Sequence, residues 1–188
     1  MKKIILSLTL TIAIAFVATA ETAKTLKVGD TAPAFKIKNT SGKEIDLAKL
    51  SAKGPVLVRL TCGCLGCDRE LPYFQALHEA YKKDGIRLVA IFAEPDEKFA
   101  KYAKSKQFKM QYALDPKRNS WKTFGTKTMP SNFLIGKGGK VIAISKGCDP
   151  SGLIARNLGD KTATLLNTAK VDIKTQVDKN KKPIIQKK

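Results

Sequence analysis

Three of the four cysteines of this chain fall within six residues, in the stretch Thr61-Cys62-Gly63-Cys64-Leu65-Gly66-Cys67-Asp68-Arg69-Glu70-Leu71-Pro72. Upstream, Val56-Leu57-Val58-Arg59-Leu60 is an apolar, β-branched run that predicts a buried strand. Downstream, Leu71, Phe74, Leu77 and Tyr81 recur at spacings of three and four and predict an amphipathic helix. Cys64-Leu65-Gly66-Cys67 therefore sits where a strand hands over to a helix. The first helical N–H groups have no intrahelical partner, and the macrodipole places partial positive charge there. A thiol at that point is stabilised as the thiolate, the attacking species in disulfide exchange. Cysteines three apart on a first turn can also close a disulfide. On this reading Cys64 is the nucleophile at the helix start, and Cys67 is the buried resolving partner one turn in.

The same thiols carry two other readings, an inert structural disulfide and a zinc or copper(I) site completed by the distant Cys148. A proline packed beside the cysteines would fill space that an ion would need, so no metal is expected. Glu70 lies one turn beyond Cys67, near enough in sequence to act on it. It is either a proton shuttle for the resolving thiol or a solvated acid on the helix surface. Arg59, inside the buried-strand run, is expected to pair with a nearby acid. His78, the lone histidine, falls beside the apolar stripe of the helix, and a packing or surface role is expected for it. Trp121 reads as core or groove packing.

The elements that must hold these residues follow from the rest of the chain. Met1-Lys2-Lys3, the apolar run from Ile4 to Ala18 and the small-x-small site Ala18-Thr19-Ala20 have the form of a secretory signal peptide, residues 1–20. An uncleaved anchor would need a longer apolar span. Export to the periplasm or cell envelope would put the cysteines where disulfides persist. The net charge of +19 loses only Lys2 and Lys3 with that segment. The surplus is spread along the chain, and no nucleic-acid-binding motif accompanies it. Nucleic acid is therefore not an expected partner, whereas weak attraction to anionic surfaces is. Residues 21–169 have the length of one domain. Within them, Lys36 to Leu47 reads as a hairpin followed by a helical turn at Leu47–Ser51. Strands are expected over Ile86–Phe92, Gln111–Asp115, Asn132–Ile135 and Lys140–Ser145. Helices are expected through Lys83, over about 96–106 and over about 150–167. Strands alternating with helices and closing in a hairpin predict an α/β fold. Residues 170–188 are rich in lysine and are expected to form a flexible or loosely docked tail.

Cys-x-x-Cys-x-x-Glu-Leu-Pro, as Cys64 to Pro72, resembles the exported thioredoxin-like thiol–disulfide oxidoreductases of the TlpA/ResA type. Gly29-Asp30-Thr31-Ala32-Pro33-Ala34-Phe35 is similar to the opening shared by redoxins and peroxiredoxins of the AhpC/TSA superfamily. Gly125 to Ile135, with Met129-Pro130, resembles the family's cis-proline segment. Gly139 to Ile142 is similar to the hairpin that follows it. The resemblance covers roughly Leu26 to Asn167. It implies a thioredoxin fold with an N-terminal β-hairpin extension and a central mixed sheet flanked by helices. It also implies a cis Met129–Pro130 bond, with Thr128, Met129 and Pro130 presenting backbone to the substrate as an added strand.

The activity so implied is cofactor-free exchange with client-protein disulfides, by a monomer served by a membrane-bound or exported thiol donor. By the implied strand order Cys148 comes to the active-site edge near Cys62, the two standing either as free thiols or as a second, auxiliary disulfide. Two departures stand out. Gly63 replaces the family's usual Trp, and Val58 occupies the position where thioredoxins proper carry a buried Asp. Thr61-x-x-Cys64 also resembles the peroxiredoxin Thr-x-x-Cys, which would make Cys64 a peroxidatic thiol. Leu57, however, stands where that family has Pro, and no arginine can be assigned to peroxide activation. The dipeptide Leu65-Gly66 contains no histidine to stabilise a thiolate strongly, which leans toward a reductant.

Overall fold

The chain begins its described course, residues 24–181 of a computed structural model, with the hairpin β1 (Lys36–Lys38) and β2 (Glu44–Asp46). The expected signal peptide and the last seven residues of the expected tail lie outside the described residues. Asp46 ends the hairpin and caps α1 (Leu47–Lys53), its carboxylate accepting the Lys49 N–H at 3.1 Å. Next come β3 (Val56–Thr61), α2 (Leu65–Tyr81), β4 (Arg87–Phe92), α3 (Asp96–Lys106), β5 (Gln111–Leu114) and α4 (Asn119–Thr123). The hairpin β6 (Ser131–Ile135) and β7 (Val141–Lys146) leads to α5 (Leu153–Leu166) and α6 (Ile173–Lys181).

Five strands form a mixed sheet in the order β5-β4-β3-β6-β7, with β3, β4 and β5 parallel and β6 and β7 antiparallel to their neighbours. Helices flank this sheet, and the β1–β2 hairpin stands apart from it: the fold is the α/β thioredoxin fold. β3 is central, and all six of its residues are buried, as expected for a strand covered on both faces. Its alternation separates two cores. Val56, Val58 and Leu60 pack with Phe35, Trp121, Phe124 and Phe133 on one face. Leu57 packs with Phe74, Leu77 and Tyr81 of α2 on the other. Arg59, two residues from Leu57, shares the α2 face by the two-residue period of a strand.

The register fixes which loops meet. Leu60 pairs with Ser131, and Ser131 pairs with Lys146. The exit from β3, the entry to β6 and the exit from β7 therefore lie along one edge of the sheet. Thr61 pairs with Phe92 in the parallel neighbour, which brings the exit from β4 to the same edge.

The C-terminal segment departs from the loosely held tail expected from its composition. Residues 173–181 are helical, and Ile173 and Val177 are buried in the α2–α5 core. Asp172 accepts the Thr175 N–H and hydroxyl at 3.1 and 2.6 Å, and the Val171 N–H donates to the Tyr81 hydroxyl at 2.9 Å. A lysine count conceals two apolar residues at i,i+4 with an acidic cap, which suffice to dock a short helix. Helix α2 passes through Pro72 and ends at Tyr81, two residues sooner than expected. Helix α5 starts at Leu153, because Asp149 to Gly152 form a turn instead of helix. If α6 is part of the core, Ile173→Ala should cost about 2–5 kcal/mol in a urea unfolding titration. A shift indistinguishable from zero would return the segment to a surface tail.

Candidate active site

The active-site turn is built on the end of β3. The Ala93 N–H donates to the Thr61 carbonyl at 3.1 Å, and the chain then leaves the sheet through Cys62 and Gly63. Glu94, from the loop after β4, accepts the Gly63 N–H at 2.7 Å. Cys64 is the N-cap of α2, with extended backbone, and its carbonyl accepts the Asp68 N–H at 2.9 Å. Cys64 is exposed and Cys67 is buried, with 2% of its surface accessible. This is the arrangement expected for an attacking and a resolving thiol.

All four thiols are free, and their sulfurs cluster together. The Cys62 thiol donates to Cys64 Sγ at 2.8 Å, and Cys62 Sγ lies 3.4 Å from Cys67 Sγ. Cys148 Sγ lies 3.9 Å from Cys67 Sγ on the other side. The fold thus brings Cys148 to the active-site edge as expected. Cys62 and Cys148 are free thiols, one of the two alternatives expected, and the sulfur beside Cys148 is that of Cys67. The Sγ atoms of Cys62, Cys64 and Cys67 all lie within 4.8 Å of one another, a grouping that could hold a soft ion.

The thiols are electrostatically unequal. Partial burial pushes the Cys64 thiol up. The hydrogen bond from Cys62, the backbone N–H groups of Cys67 and Gly66, and the Cys67 thiol outweigh that and hold it below its ordinary value. Burial, and then its own bond to Cys64, push the Cys62 thiol far above the ordinary range. Partial burial and the charge of Cys67 push Cys148 up to about 12, although the rest of that residue is open to solvent. Cys64 is thus the thiol whose ionised form these surroundings favour.

Beneath the turn lies a buried polar network. Arg59 and Glu70, 2% and 1% accessible, form an ion pair at 2.8 Å between Nη2 and Oε2. Arg59 Nη1 donates to Asn132 Oδ1 at 2.9 Å, and the guanidinium carbon lies 4.0 Å from the centre of the Phe74 ring. Asn132 Nδ2 donates to Ser145 Oγ at 3.1 Å. The other Glu70 oxygen accepts the Asp149 N–H at 2.8 Å. Arg59 therefore has the acidic partner expected of it. Glu70 is buried, which excludes the solvated surface acid that was the alternative to a proton shuttle. Each of its oxygens is committed, one to a guanidinium and one to the loop bearing Cys148, and among the described residues no hydrogen bond joins it to Cys67. Its geometry is that of a positioning residue.

The Met129–Pro130 bond is cis. Pro130 is buried, its carbonyl accepting the Gly147 N–H at 2.9 Å, while Thr128 is exposed and Met129 half-buried. The Thr128 carbonyl is occupied by the Ser131 hydroxyl at 2.8 Å and its N–H by Thr126 Oγ1 at 3.2 Å. Among the described residues Met129 makes no backbone hydrogen bond within the chain, leaving it the residue of the three with backbone groups to offer. His78 and Trp121 are packing residues, half-buried and buried respectively.

Sequence reasoning missed Glu94 and a second brace, in which Asp68 accepts the Tyr102 hydroxyl at 3.0 Å and pairs with Lys106 at 2.8 Å, pinning α3 to the start of α2. Glu94 was findable. It lies two residues beyond the end of a strand parallel to β3, hence at the same sheet edge.

With this geometry in place, similarity to known proteins becomes informative. Residues 28–144 match the AhpC/TSA family. Over 123 residues the chain is 34% identical to the thiol–disulfide oxidoreductase ResA of Bacillus thuringiensis subsp. konkukian, covering 65% of this chain and 71% of that one. It is 29% identical to ResA of Bacillus subtilis over 125 residues, 66% of this chain and 70% of that protein. A structure from Chlorobium tepidum, described as a candidate thiol:disulfide interchange protein DsbE, superposes with a TM-score of 0.69 at 25% identity, over 76% of this chain and 99% of that one. The chain belongs to the AhpC/TSA family. Within it, the protein is a thiol–disulfide oxidoreductase of the ResA-like, thioredoxin-fold kind.

The Cys62 hydrogen bond gives a pH prediction. Because the Cys64 value is lowered, its thiolate survives to lower pH than that of a free cysteine. Its iodoacetamide alkylation rate should therefore rise with pH through a midpoint lower than that of a free cysteine. Cys62→Ala removes a donor and should move that midpoint up. An unchanged midpoint would mean that the helix N–H groups alone set it.

Proposed function

We propose that the protein is an exported reductant of client-protein disulfides, acting through Cys64 and Cys67. The observation that carries this reading is the pairing of an exposed, hydrogen-bond-stabilised Cys64 at the start of α2 with a buried Cys67 one turn in. The Cys64 thiolate attacks one sulfur of a client disulfide, forming a mixed disulfide and releasing the other client sulfur as a thiolate. Cys67, as thiolate, attacks Cys64 Sγ, closing the Cys64–Cys67 disulfide and releasing the second client sulfur. A thiol donor in the same compartment, membrane-bound or exported, then reduces the pair.

Met129, with Thr128 and Pro130 fixing its conformation, offers backbone to the client segment as an added strand. Glu70 positions Arg59 and the Cys148 loop. No described helix is long and apolar enough to cross a membrane, so export rests on the signal-peptide form of residues 1–20. The working unit is a monomer.

A peroxidase reading finds little support in the site. Thr61 Oγ1 contacts the Cys62 carbonyl at 3.5 Å instead of Cys64, and Arg59 is committed to Glu70 and Asn132. Hydrogen peroxide turnover separates the two readings. The three convergent sulfurs favour one further reading, a carrier of a soft metal ion, which native mass spectrometry would reveal as retained metal.

Cys64→Ser should abolish reduction of a protein disulfide, whereas the double variant Cys62→Ser/Cys67→Ser, which lacks both thiols that adjoin Cys64, should accumulate a mixed disulfide with it, seen as a covalent adduct on a non-reducing gel. Undiminished turnover by Cys64→Ser would overturn the mechanism.

A further inference from the structure

A two-cysteine exchange site leaves Cys62 and Cys148 without a role, yet several features bring Cys148 against the pair. The Asp149 N–H is held by Glu70 at 2.8 Å, and the Gly147 N–H by the Pro130 carbonyl at 2.9 Å. Gly147 itself has φ +90°, which turns the chain back over the site at a residue that tolerates it. Across from it, Gly66 leaves the room that the sulfur occupies. A Cβ at Gly66 would lie 3.0 Å from Cys148 Sγ. The result is a compact triangle of sulfurs, Cys62, Cys64 and Cys67, with Cys148 against Cys67; Cys62 lies 2.8 Å from Cys64 and 3.4 Å from Cys67, and Cys148 lies 3.9 Å from Cys67. The first and last of these contacts divide the four thiols into two neighbouring pairs.

We propose that Cys148 is a third redox-active thiol that takes the disulfide over from Cys64, so that the cluster stores two disulfides, Cys67–Cys148 and Cys62–Cys64. The proposal rests on the exchange reading above. Once the Cys64–Cys67 disulfide has formed, the Cys148 thiolate attacks Cys67 Sγ. The Cys67–Cys148 bond forms, the Cys64–Cys67 bond breaks, and Cys64 leaves as a thiolate able to take the proton that Cys148 gave up. This step is an isomerisation and needs no oxidant. Cys64 then attacks a second client disulfide, and Cys62, as thiolate, resolves that adduct by closing Cys62–Cys64. Four thiols become two disulfides, and two client disulfides become four thiols.

Chemical logic favours the direction of the transfer. Of the two sulfurs that compete for Cys67, Cys64 has the Cys62 thiol and the backbone N–H groups of Cys67 and Gly66 to receive its thiolate and is the better leaving group. To reach a bonding distance of about 2.05 Å, Cys148 Sγ must close in from 3.9 Å, within the range of side-chain rotation.

The test uses the fully reduced protein titrated with oxidised glutathione, quenched by acid, alkylated and mapped by mass spectrometry. At two thiols consumed, the expected product carries Cys67–Cys148 with Cys64 alkylated. At the end point no free thiol remains, and Cys62–Cys64 has joined it. Gly66→Ala should lower the yield of Cys67–Cys148 at least several-fold while Cys64–Cys67 still forms, and Cys148→Ser should halve the number of disulfides stored. An end point holding Cys64–Cys67 with Cys62 and Cys148 both alkylated would overturn the relay and leave the two-cysteine reading standing. Failure to form any disulfide within the cluster would overturn both.

Discussion

The buried Arg59–Glu70 pair is the constraint on which the site's geometry depends. Removing two charges from water costs several kcal/mol per ion, and their attraction offsets that only when the remaining donors and acceptors are also met. Here Asn132 and the Phe74 ring receive Arg59, and the Asp149 N–H completes Glu70. Removing one partner of such a pair typically costs about 3–5 kcal/mol, because the other is left buried and uncompensated. The penalty is a form of geometric specification. Arg59 comes from the central strand, Asn132 from β6, Glu70 from α2 and Asp149 from the loop after β7. A displacement of any of them leaves a charge or an amide unpaired. The pair therefore locks together the helix that bears Cys64 and Cys67, the strand that follows the cis-proline and the loop that bears Cys148.

The sulfurs gain their chemistry from that frame. An isolated thiol in this neighbourhood would be disfavoured as a thiolate by partial burial. Cys64 escapes because it alone stands at the helix start, where the N–H groups of Gly66 and Cys67 and the thiol of Cys62 turn toward it. The Asp68–Tyr102–Lys106 brace and the Glu94–Gly63 hydrogen bond hold the two ends of the turn from the α3 side. Gly63 leaves its place lined by Glu94 and Tyr102, both within 4 Å of where a Cβ would stand.

Much of this was legible in the chain itself. The strand–Cys-x-x-Cys–helix order, the two-residue alternation of β3 and the three-to-four spacing of α2 are local patterns, and local patterns survive in sequence. The burial of Glu70 was not legible. Its partner Arg59 lies 11 residues away and its second donor, Asp149, 79 residues away, so only the strand register joins them. The same holds for Cys148, whose proximity followed from strand order but whose choice of Cys67 over Cys62 depends on side-chain placement. Helix α6 was missed for another reason: composition averages over a segment, whereas docking needs only Ile173 and Val177 on one face.

Exchange at this site requires Cys64 to be the sulfur that meets a client first. Reduced protein mixed briefly with a stoichiometric amount of oxidised glutathione and quenched in acid would retain the first mixed disulfide, and peptide mapping would locate the adduct. The predicted adduct is on Cys64, with Cys62, Cys67 and Cys148 unmodified at the earliest times. Glutathione appearing first on any of those three would contradict the assignment of the attacking thiol.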